Sequence, residues 1–287
     1  MKTQFDKSHV IRQFNQVSNQ YDQFAVVQRM VGQRLLDRLA YIRIEPRTIL
    51  DLGCGTGNFL ASLRAIYPNA HVIGLDIALR MLRVASRKRL STRLYQLLCG
   101  DAAYLPFRTR SFDLIYANLM VHWSDDLMQT FCELRRILAP EGLFLFSTVG
   151  PDTLYELRTS WASVDQQAHV HEFMDMHDVG DRLVSVKLRY PVMDVDYCSV
   201  LYPDVYALMR ELQGLGVSNC SVQRSPYLVG KEKFQAFLRA YERYRTDNAK
   251  IPATWEIIYG HCWGALDETQ HNTMDYAVSI DQIVRKE

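Results

Sequence analysis

Residues 51–57 read Asp-Leu-Gly-Cys-Gly-Thr-Gly, with three glycines at alternate positions directly after a short apolar run. Because glycine lacks a Cβ, such a loop turns tightly and lets a ligand approach its backbone closely. The spacing departs from the G-x-G-x-x-G fingerprint of dinucleotide sites, since position 58 is Asn. Asp51 has a second interpretation, in which its side chain caps the turn that follows it. We therefore predict a site for a ligand without a pyrophosphate at Asp51, Gly53, Gly55 and Gly57.

Further polar side chains follow the next predicted strands. Asp76 ends the second strand, where a carboxylate can accept both hydroxyls of a ribose. Asp101 follows the third strand and suits a hydrogen bond from an adenine amino group. Ile77 and Met81 are expected to enclose the adenine ring. The remaining residues predicted at this site are Ala102, Asn118 and Leu119.

The glycine loop and the carboxylates at three successive strand ends resemble the class I S-adenosylmethionine-dependent methyltransferases. The resemblance implies S-adenosylmethionine as the cofactor and a doubly wound, Rossmann-like α/β fold. No metal site is predicted, because the six cysteines include no C-x-x-C pair.

The elements that must position these residues alternate along the first half of the chain. Apolar positions at helical spacing over 7–40 predict one or two amphipathic helices. After them, strands predicted at short intervals alternate with helices, which indicates a mostly parallel sheet covered on both faces. The predicted strands are 48–51, 71–76, 94–98, 112–117 and 143–149, and the predicted helices are 58–67, 78–90 and 127–138. A turn at 140–142 is predicted to introduce the fifth strand.

The regular alternation ends near residue 150. Later segments predict helices at 151–185, 204–214 and 231–245, a strand pair or one long strand at 186–201, a strand at 254–263 and a polar tail at 265–287. We predict one methyltransferase domain over 1–287, with a helical cover inserted after the fifth strand. Its parts are an N-terminal helical cap (1–45), a cofactor-binding core (46–150), a cover and acceptor segment (151–245) and a final strand and tail (246–287).

Charge and hydropathy narrow the class of partner. Lys and Arg total 33 and Asp and Glu total 32, so no global field favours nucleic acid or an anionic membrane. The N-terminus lacks an apolar signal core, and no stretch approaches 18 consecutive apolar residues. Scattered cysteines are typical of a reducing compartment. We expect a cytoplasmic protein that acts on neither nucleic acid nor membranes. The sequence does not indicate how many subunits the protein has.

Residues 116–123, after the fourth strand, are expected to face the methyl acceptor. They lack the N-P-P-[YF] motif of amide and base amino methyltransferases. An ionised carboxylate acceptor needs no general base at neutral pH, whereas nitrogen and hydroxyl acceptors often do.

Several segments resemble the malonyl-acyl-carrier-protein O-methyltransferases of biotin synthesis, over nearly the whole chain. They are residues 14–21, 118–123, 150–158, 171–177, 209–216 and 256–263. The resemblance implies methylation of the free carboxylate of a malonyl thioester on acyl carrier protein, giving the ester that begins pimeloyl synthesis. It also implies an acidic partner, for which the basic run 80–93 is a docking hypothesis beside its interpretation as a solvated helix face.

Four residues are predicted to serve the acceptor. Arg158 and Arg210 lie within family-like segments and are of the type that binds carboxylates best, although each has an equal interpretation as a surface ion pair. His122 lies in residues 118–123, here called the acceptor loop. It is predicted either to contact the substrate or to be a structural histidine. Tyr21 is expected to close the N-terminal helix over the cofactor or to pack in the core, and Trp123 to form a pocket wall.

Three other functions stay open at this point. The first is a carboxyl methyltransferase for a small free acid. The second, suggested by the resemblance of Asp152–Arg158 to complex I assembly factors, is a non-methylating assembly factor or arginine hydroxylase. The third is a scaffold that binds the cofactor without turnover.

Overall fold

A computed structural model describes residues 6–88, 95–217, 219–220 and 229–265. Its strands form one sheet, in the order β3-β2-β1-β4-β5-β7-β6. The strands are β1 (Thr48–Leu52), β2 (His71–Asp76), β3 (Gln96–Cys99), β4 (Phe112–Asn118), β5 (Leu138–Val149), β6 (Arg189–Tyr202) and β7 (Ile251–Trp263). The α-helices are α1 (Lys7–Val17), α2 (Tyr21–Phe24), α3 (Val26–Asp37), α4 (Leu60–Ile66), α5 (Leu79–Lys88), α6 (Leu127–Ile137), α7 (Tyr155–Ala162), α8 (Met176–Ser185), α9 (Val205–Gly214) and α10 (Lys231–Tyr241).

The sheet is mostly parallel. β1 to β5 run in one direction, and β7 pairs antiparallel with both β5 and β6. The strand order reverses between β1 and β4, and such a reversal opens a crevice at the carboxyl ends of the strands. The predicted doubly wound α/β class is confirmed.

Alternate residues of the central strands enter two separate cores, one on each face of the sheet. Leu114 and Tyr116 of β4 pack with α3, whereas Ile115 and Ala117 pack with α6 and α8. These strands are therefore apolar on both faces, as parallel strands covered by helices must be.

The structure differs from the prediction at one turn. The predicted turn at 140–142 lies inside β5, where Glu141 adopts φ +62° and the pairing with β4 shifts register. Pro140, Glu141 and Gly142 are typical of a turn, but in the structure they form an irregularity within β5. Residues 189–202 form the single edge strand β6, which confirms the second of the two alternatives predicted for 186–201. The cover segment therefore also extends the sheet.

The N-terminal helices confirm the amphipathic prediction and pack onto the sheet. The Tyr116 hydroxyl donates a 2.9 Å hydrogen bond to the carbonyl of Gly32 in α3. α1 begins at a capping Asp6, whose carboxylate accepts from the amide of His9, and it contacts α5. Among the described helices, none combines the length and the hydropathy needed to cross a bilayer.

Candidate active site

A cavity of about 490 Å³ opens at the carboxyl ends of β1, β2 and β4. One part, here called the cofactor end, is lined by Gly53, Gly55, Asp76, Ile77, Met81 and Asp101. The other part, here called the cover end, is lined by Leu157, Trp161, His171, Phe173 and Trp255. The crevice expected from the strand order is therefore roofed by the N-terminal helices and by the cover segment.

The glycine loop uses backbone conformations that favour glycine. Gly53, Gly55 and Gly57 have φ of +73°, +54° and +78°. A Cβ on Gly55 would meet no atom within 4 Å, so its backbone faces open space in the cavity. A Cβ on Gly57 would lie 2.9 Å from the Cβ of Ala85, which places this glycine against α5 and outside the lining.

Asp76 presents an oriented carboxylate to the cavity. Its Oδ2 accepts from the Gly55 amide at 2.9 Å and its Oδ1 from the Ala78 amide at 2.7 Å. Burial raises the pKa of Asp76, while these amide donors act in the opposite direction. The side chain is thereby fixed at the strand end, where the ribose was predicted.

Asp51 lies on β1 beneath the loop and is almost wholly buried. Burial, with a smaller contribution from Asp76, raises its pKa to about 8. Its Oδ2 accepts no hydrogen bond from the described residues, and the residue does not line the cavity. The structure thus places it below the site, as a buried and largely neutral acid.

Asp101 already has partners within the chain. Lys7 donates to its Oδ2 at 2.7 Å, and the amide of Ala103 donates to its Oδ1 at 3.0 Å. Asp101 and the neighbouring Ala102 both line the cavity, as do Ile77 and Met81. The first turn of α1 is consequently tied to the predicted adenine site.

Asp22 ties α2 to the glycine loop. One carboxylate oxygen accepts from Thr56 at 2.6 Å and from Asn58 at 3.1 Å, and the other pairs with Lys88 at 2.6 Å. The adjacent Tyr21 lines the cavity. Burial, followed by the charges of Asp76 and Asp22, raises the pKa of Tyr21 above its usual range, so its phenol is neutral at physiological pH.

The acceptor loop passes from the sheet into the cavity. The side-chain amide of Asn118 donates to the Gln28 carbonyl at 2.9 Å, and its oxygen accepts from Ser147 at 2.9 Å. Asn118 and Leu119 line the cavity. Nδ1 of His122 lies 3.4 Å from Oγ1 of Thr148. Burial and the nearby His171 lower the pKa of His122 to about 3, so this imidazole is neutral near pH 7.

Aromatic rings build the cover end. Trp161 of α7 stacks between His169, at a centroid distance of 3.9 Å, and Phe237 of α10, at 4.1 Å. His171 accepts from the amide of Cys220 at 3.2 Å, and Phe173 meets the edge of His122. These contacts give the cover end of the cavity a largely aromatic wall.

The two predicted arginines lie away from this wall. Arg158 donates to the carbonyl of Pro151 at 2.6 Å and to that of Thr153 at 3.3 Å. Arg210 lies on the exposed face of α9. The described residues that line the cavity include neither arginine, and Lys7 is the single Lys or Arg among them.

Several lining residues were not predicted from the sequence. They are Lys7, Phe14, Trp161, His169, His171, Phe173 and Trp255. His171 and Phe173 belong to segment 171–177, whose resemblance to the family could have indicated that they lie at the site. Trp161 and His169 lie in no family-like segment, and Trp161 is placed by its stacking on Phe237, which is distant in sequence. Among the described residues, no group of three or more His, Cys, Asp or Glu is arranged to hold a metal ion.

The cofactor end fits S-adenosylmethionine. The open backbone surface at Gly55 admits a ligand that a Cβ would obstruct, and the Asp76 carboxylate beside it is oriented to accept two hydroxyl donors. Ile77 and Met81 add an apolar surface of the kind that an adenine ring requires. The absence of a G-x-G-x-x-G helix start agrees with a cofactor that has no pyrophosphate.

Comparisons with known proteins agree with this fit. Residues 50–146 match the family model described as a methyltransferase domain. Two solved structures share the fold: the YcgJ protein of Bacillus subtilis (TM-score 0.58, 18% identity, covering 82% of this chain and 99% of that chain) and phosphoethanolamine N-methyltransferase 2 of Haemonchus contortus in complex with S-adenosyl-L-methionine (TM-score 0.55, 16% identity, 88% and 57%).

Curated relatives match nearly the whole chain. The malonyl-[acyl-carrier protein] O-methyltransferase of Legionella pneumophila is 37% identical over 97% of this chain and 98% of its own length. That of Gallionella capsiferriformans is 43% identical over 90% of this chain and 91% of its own. With a fold and a cofactor end that suit methyl transfer from S-adenosylmethionine, the chain belongs to the malonyl-[acyl-carrier protein] O-methyltransferase family.

Proposed function

We propose that this enzyme methylates the free carboxylate of a malonyl group carried on acyl carrier protein. The product is the malonyl methyl ester from which the pimeloyl chain of biotin is built. The observation that carries the proposal is one continuous cavity, in which the cofactor end meets an apolar chamber lined by the cover. The family relationship supplies the identity of the acceptor.

The proposed reaction requires little acid–base catalysis by the side chains of the protein. When bound, S-adenosylmethionine supplies an electrophilic methyl group on a sulfonium. The acceptor carboxylate is ionised near pH 7 and needs no general base. A neutral His122, with a pKa of about 3, agrees with this requirement, because it is not poised to exchange protons at that pH. The residues of the cavity therefore act by alignment and by exclusion of water.

We assign the two cavity-lining acceptor residues to positioning the reacting groups. Tyr21 presents a neutral phenol beside the cofactor end, and His122 presents a neutral imidazole on the acceptor loop. Each of these side chains can donate one hydrogen bond to an oxygen of the acceptor carboxylate. Because the donors are neutral, the bond is weaker than an ion pair and leaves the carboxylate nucleophilic. A bidentate arginine would hold the acceptor more tightly in the ground state.

Arg158 fits a supporting role. Its guanidinium holds the carbonyls of Pro151 and Thr153, and Thr153 with the following Leu154 lines the cavity. We propose that it positions this loop against the substrate. Arg210 is exposed, and within the described part of the chain it makes no contact that supports carboxylate binding.

The proposed setting is the cytoplasm, with acyl carrier protein as the macromolecular partner and neither nucleic acid nor membrane as substrate. The near balance of 33 basic and 32 acidic residues supports the exclusion of polyanions as general partners. The subunit number is not part of the proposal.

The test is transfer of label from methyl-labelled S-adenosylmethionine. With malonyl-acyl carrier protein as acceptor, we expect a base-labile methyl ester on the carrier. Acetyl-acyl carrier protein, which lacks the free carboxylate, is the matched control and should stay unlabelled. Label on malonate or another free acid, with none on the malonyl carrier, would contradict the proposal, and tight cofactor binding without any transfer would indicate a silent scaffold.

A further inference from the structure

Two of the longer helices that the structure describes are free of acidic residues. Of the described helices with eight residues or more, α1 and α5 alone contain neither Asp nor Glu. They pack against each other, and the amide of Arg80 donates to the side chain of Asn15 at 2.8 Å. In a chain with nearly equal numbers of acidic and basic residues, this is a concentrated region of positive charge.

The basic side chains of α5 lie on one face. Arg80, Arg83 and Arg87 are exposed and spaced by three and four residues, which places them side by side on the helix surface. None of these three forms an ion pair with a residue that the structure describes. Arg12 of α1 is exposed too, and it contacts His9. We name these four arginines the α1–α5 face.

The same helices form a wall of the cavity. α1 contributes Val10, Ile11 and Phe14 to the lining, and α5 contributes Met81. Apart from Lys7, the side chains that these helices turn toward the cavity are therefore apolar, while the arginines are exposed to solvent. A protein seated on the α1–α5 face is one helix diameter from the reacting groups, on the order of 10 Å.

Like charges grouped without neutralising partners repel one another, and an acidic surface relieves this repulsion. We propose that the α1–α5 face is the docking surface for a clustered-carboxylate surface of the acyl carrier protein. This inference rests on the proposed function, since it identifies how the carrier of the malonyl group is held. Lys7 and Lys88 are not part of the face, because they pair with Asp101 and Asp22.

The test is the triple variant Arg80→Glu, Arg83→Glu and Arg87→Glu, assayed with malonyl-acyl carrier protein. We expect kcat/KM to fall at least about tenfold, chiefly through KM, with kcat at saturating carrier retained. The affinity for S-adenosylmethionine and the Tm should match the native protein. Raising the ionic strength should lower kcat/KM of the native enzyme and have less effect on the variant.

The matched control is Arg43→Glu, Arg47→Glu and Arg108→Glu, three exposed arginines near the amino ends of the strands, opposite the cavity. It should keep kcat/KM within about twofold. An equal fall in both variants, or no fall in the first, would overturn the docking inference. Failure of the native enzyme to label the carrier would instead overturn the proposed function. If the glutamate variant unfolds, the Gln variant at the same positions should show a smaller fall in the same direction.

Discussion

The two ends of the cavity are built in different ways. At the cofactor end, backbone amides and strand-end carboxylates set the geometry, as in the hydrogen bonds from Gly55 and Ala78 to Asp76. At the cover end, stacked rings set it, as in Trp161 between His169 and Phe237. The first end depends on hydrogen bonds at the ends of neighbouring strands, and the second on the packing of aromatic side chains from the cover helices. Substitutions should therefore separate cofactor binding from acceptor use.

The largest effect is expected for Asp76→Ala. The variant loses a charged acceptor for two hydroxyls and leaves the loop amide of Gly55 without its partner, so the Kd for S-adenosylmethionine should rise about a hundredfold or more by titration calorimetry. Asp113→Ala is the control, because Asp113 also accepts two backbone amides, from Arg47 and Thr48, but at the opposite edge of the sheet. An equal loss of affinity in both variants would contradict the assignment.

The next effect is expected for Gly55→Ala. With φ of +54°, the substitution costs roughly 1–2 kcal/mol of stability. Its methyl group enters open cavity space, so cofactor affinity should fall by about tenfold or more. Gly180→Ala, within α8 and outside the described lining, has no positive φ and adds a Cβ that meets only Sδ of Met193 at 3.5 Å, so it should preserve cofactor affinity without lowering Tm. Unchanged affinity in the first variant would place the cofactor elsewhere.

Trp161→Leu should affect the other end. Removing the stacked ring loosens the cover wall, so KM for malonyl-acyl carrier protein should rise by roughly tenfold while the cofactor Kd stays within about twofold. Phe131→Leu, in the opposite core, should lower Tm comparably without changing KM. A parallel loss of cofactor affinity in Trp161→Leu would show that the two ends are not separable.

Asp51→Asn tests the buried acid between β1 and the loop. Unfolded Asp releases its proton near pH 4, whereas Asp51 in the folded protein has a pKa of about 8. The folded state therefore holds a proton that the unfolded state releases between these values, and native stability falls as the pH rises. Without cofactor, the variant should exceed the native Tm by on the order of 5 °C at pH 8 and match it near pH 4. A Tm difference independent of pH would contradict the raised pKa.

The smallest effect is expected for Arg210→Ala. Its side chain is exposed and stands outside the described lining, so KM for the malonyl carrier should change by less than about twofold. Arg158→Ala is the comparison, since it releases the carbonyls of Pro151 and Thr153 and should raise KM more. A larger effect at Arg210 would move the carboxylate site toward α9.

The sequence predicted the fold, and it predicted that several strand-end residues lie at one edge of the sheet, for a physical reason. Strand-end residues such as Asp76 are positioned by the strand that precedes them, so local pattern determines where they lie. The ring stack of Trp161 depends instead on the docking of α7 against α10, which no local pattern contains. The bulge at Glu141 was missed because Pro, Glu and Gly in succession favour a turn as well as a bulge.

The carboxylate of Asp22 bears on the timing of the reaction. It joins α2, the glycine loop and α5 through Thr56, Asn58 and Lys88, and it is the neighbour of Tyr21 in α2. Spent cofactor beneath this junction is expected to leave when the hydrogen bonds break and the short helix swings away. Because each turnover must release one spent cofactor, we expect the opening of these helices to limit kcat more than bond making at the carboxylate does.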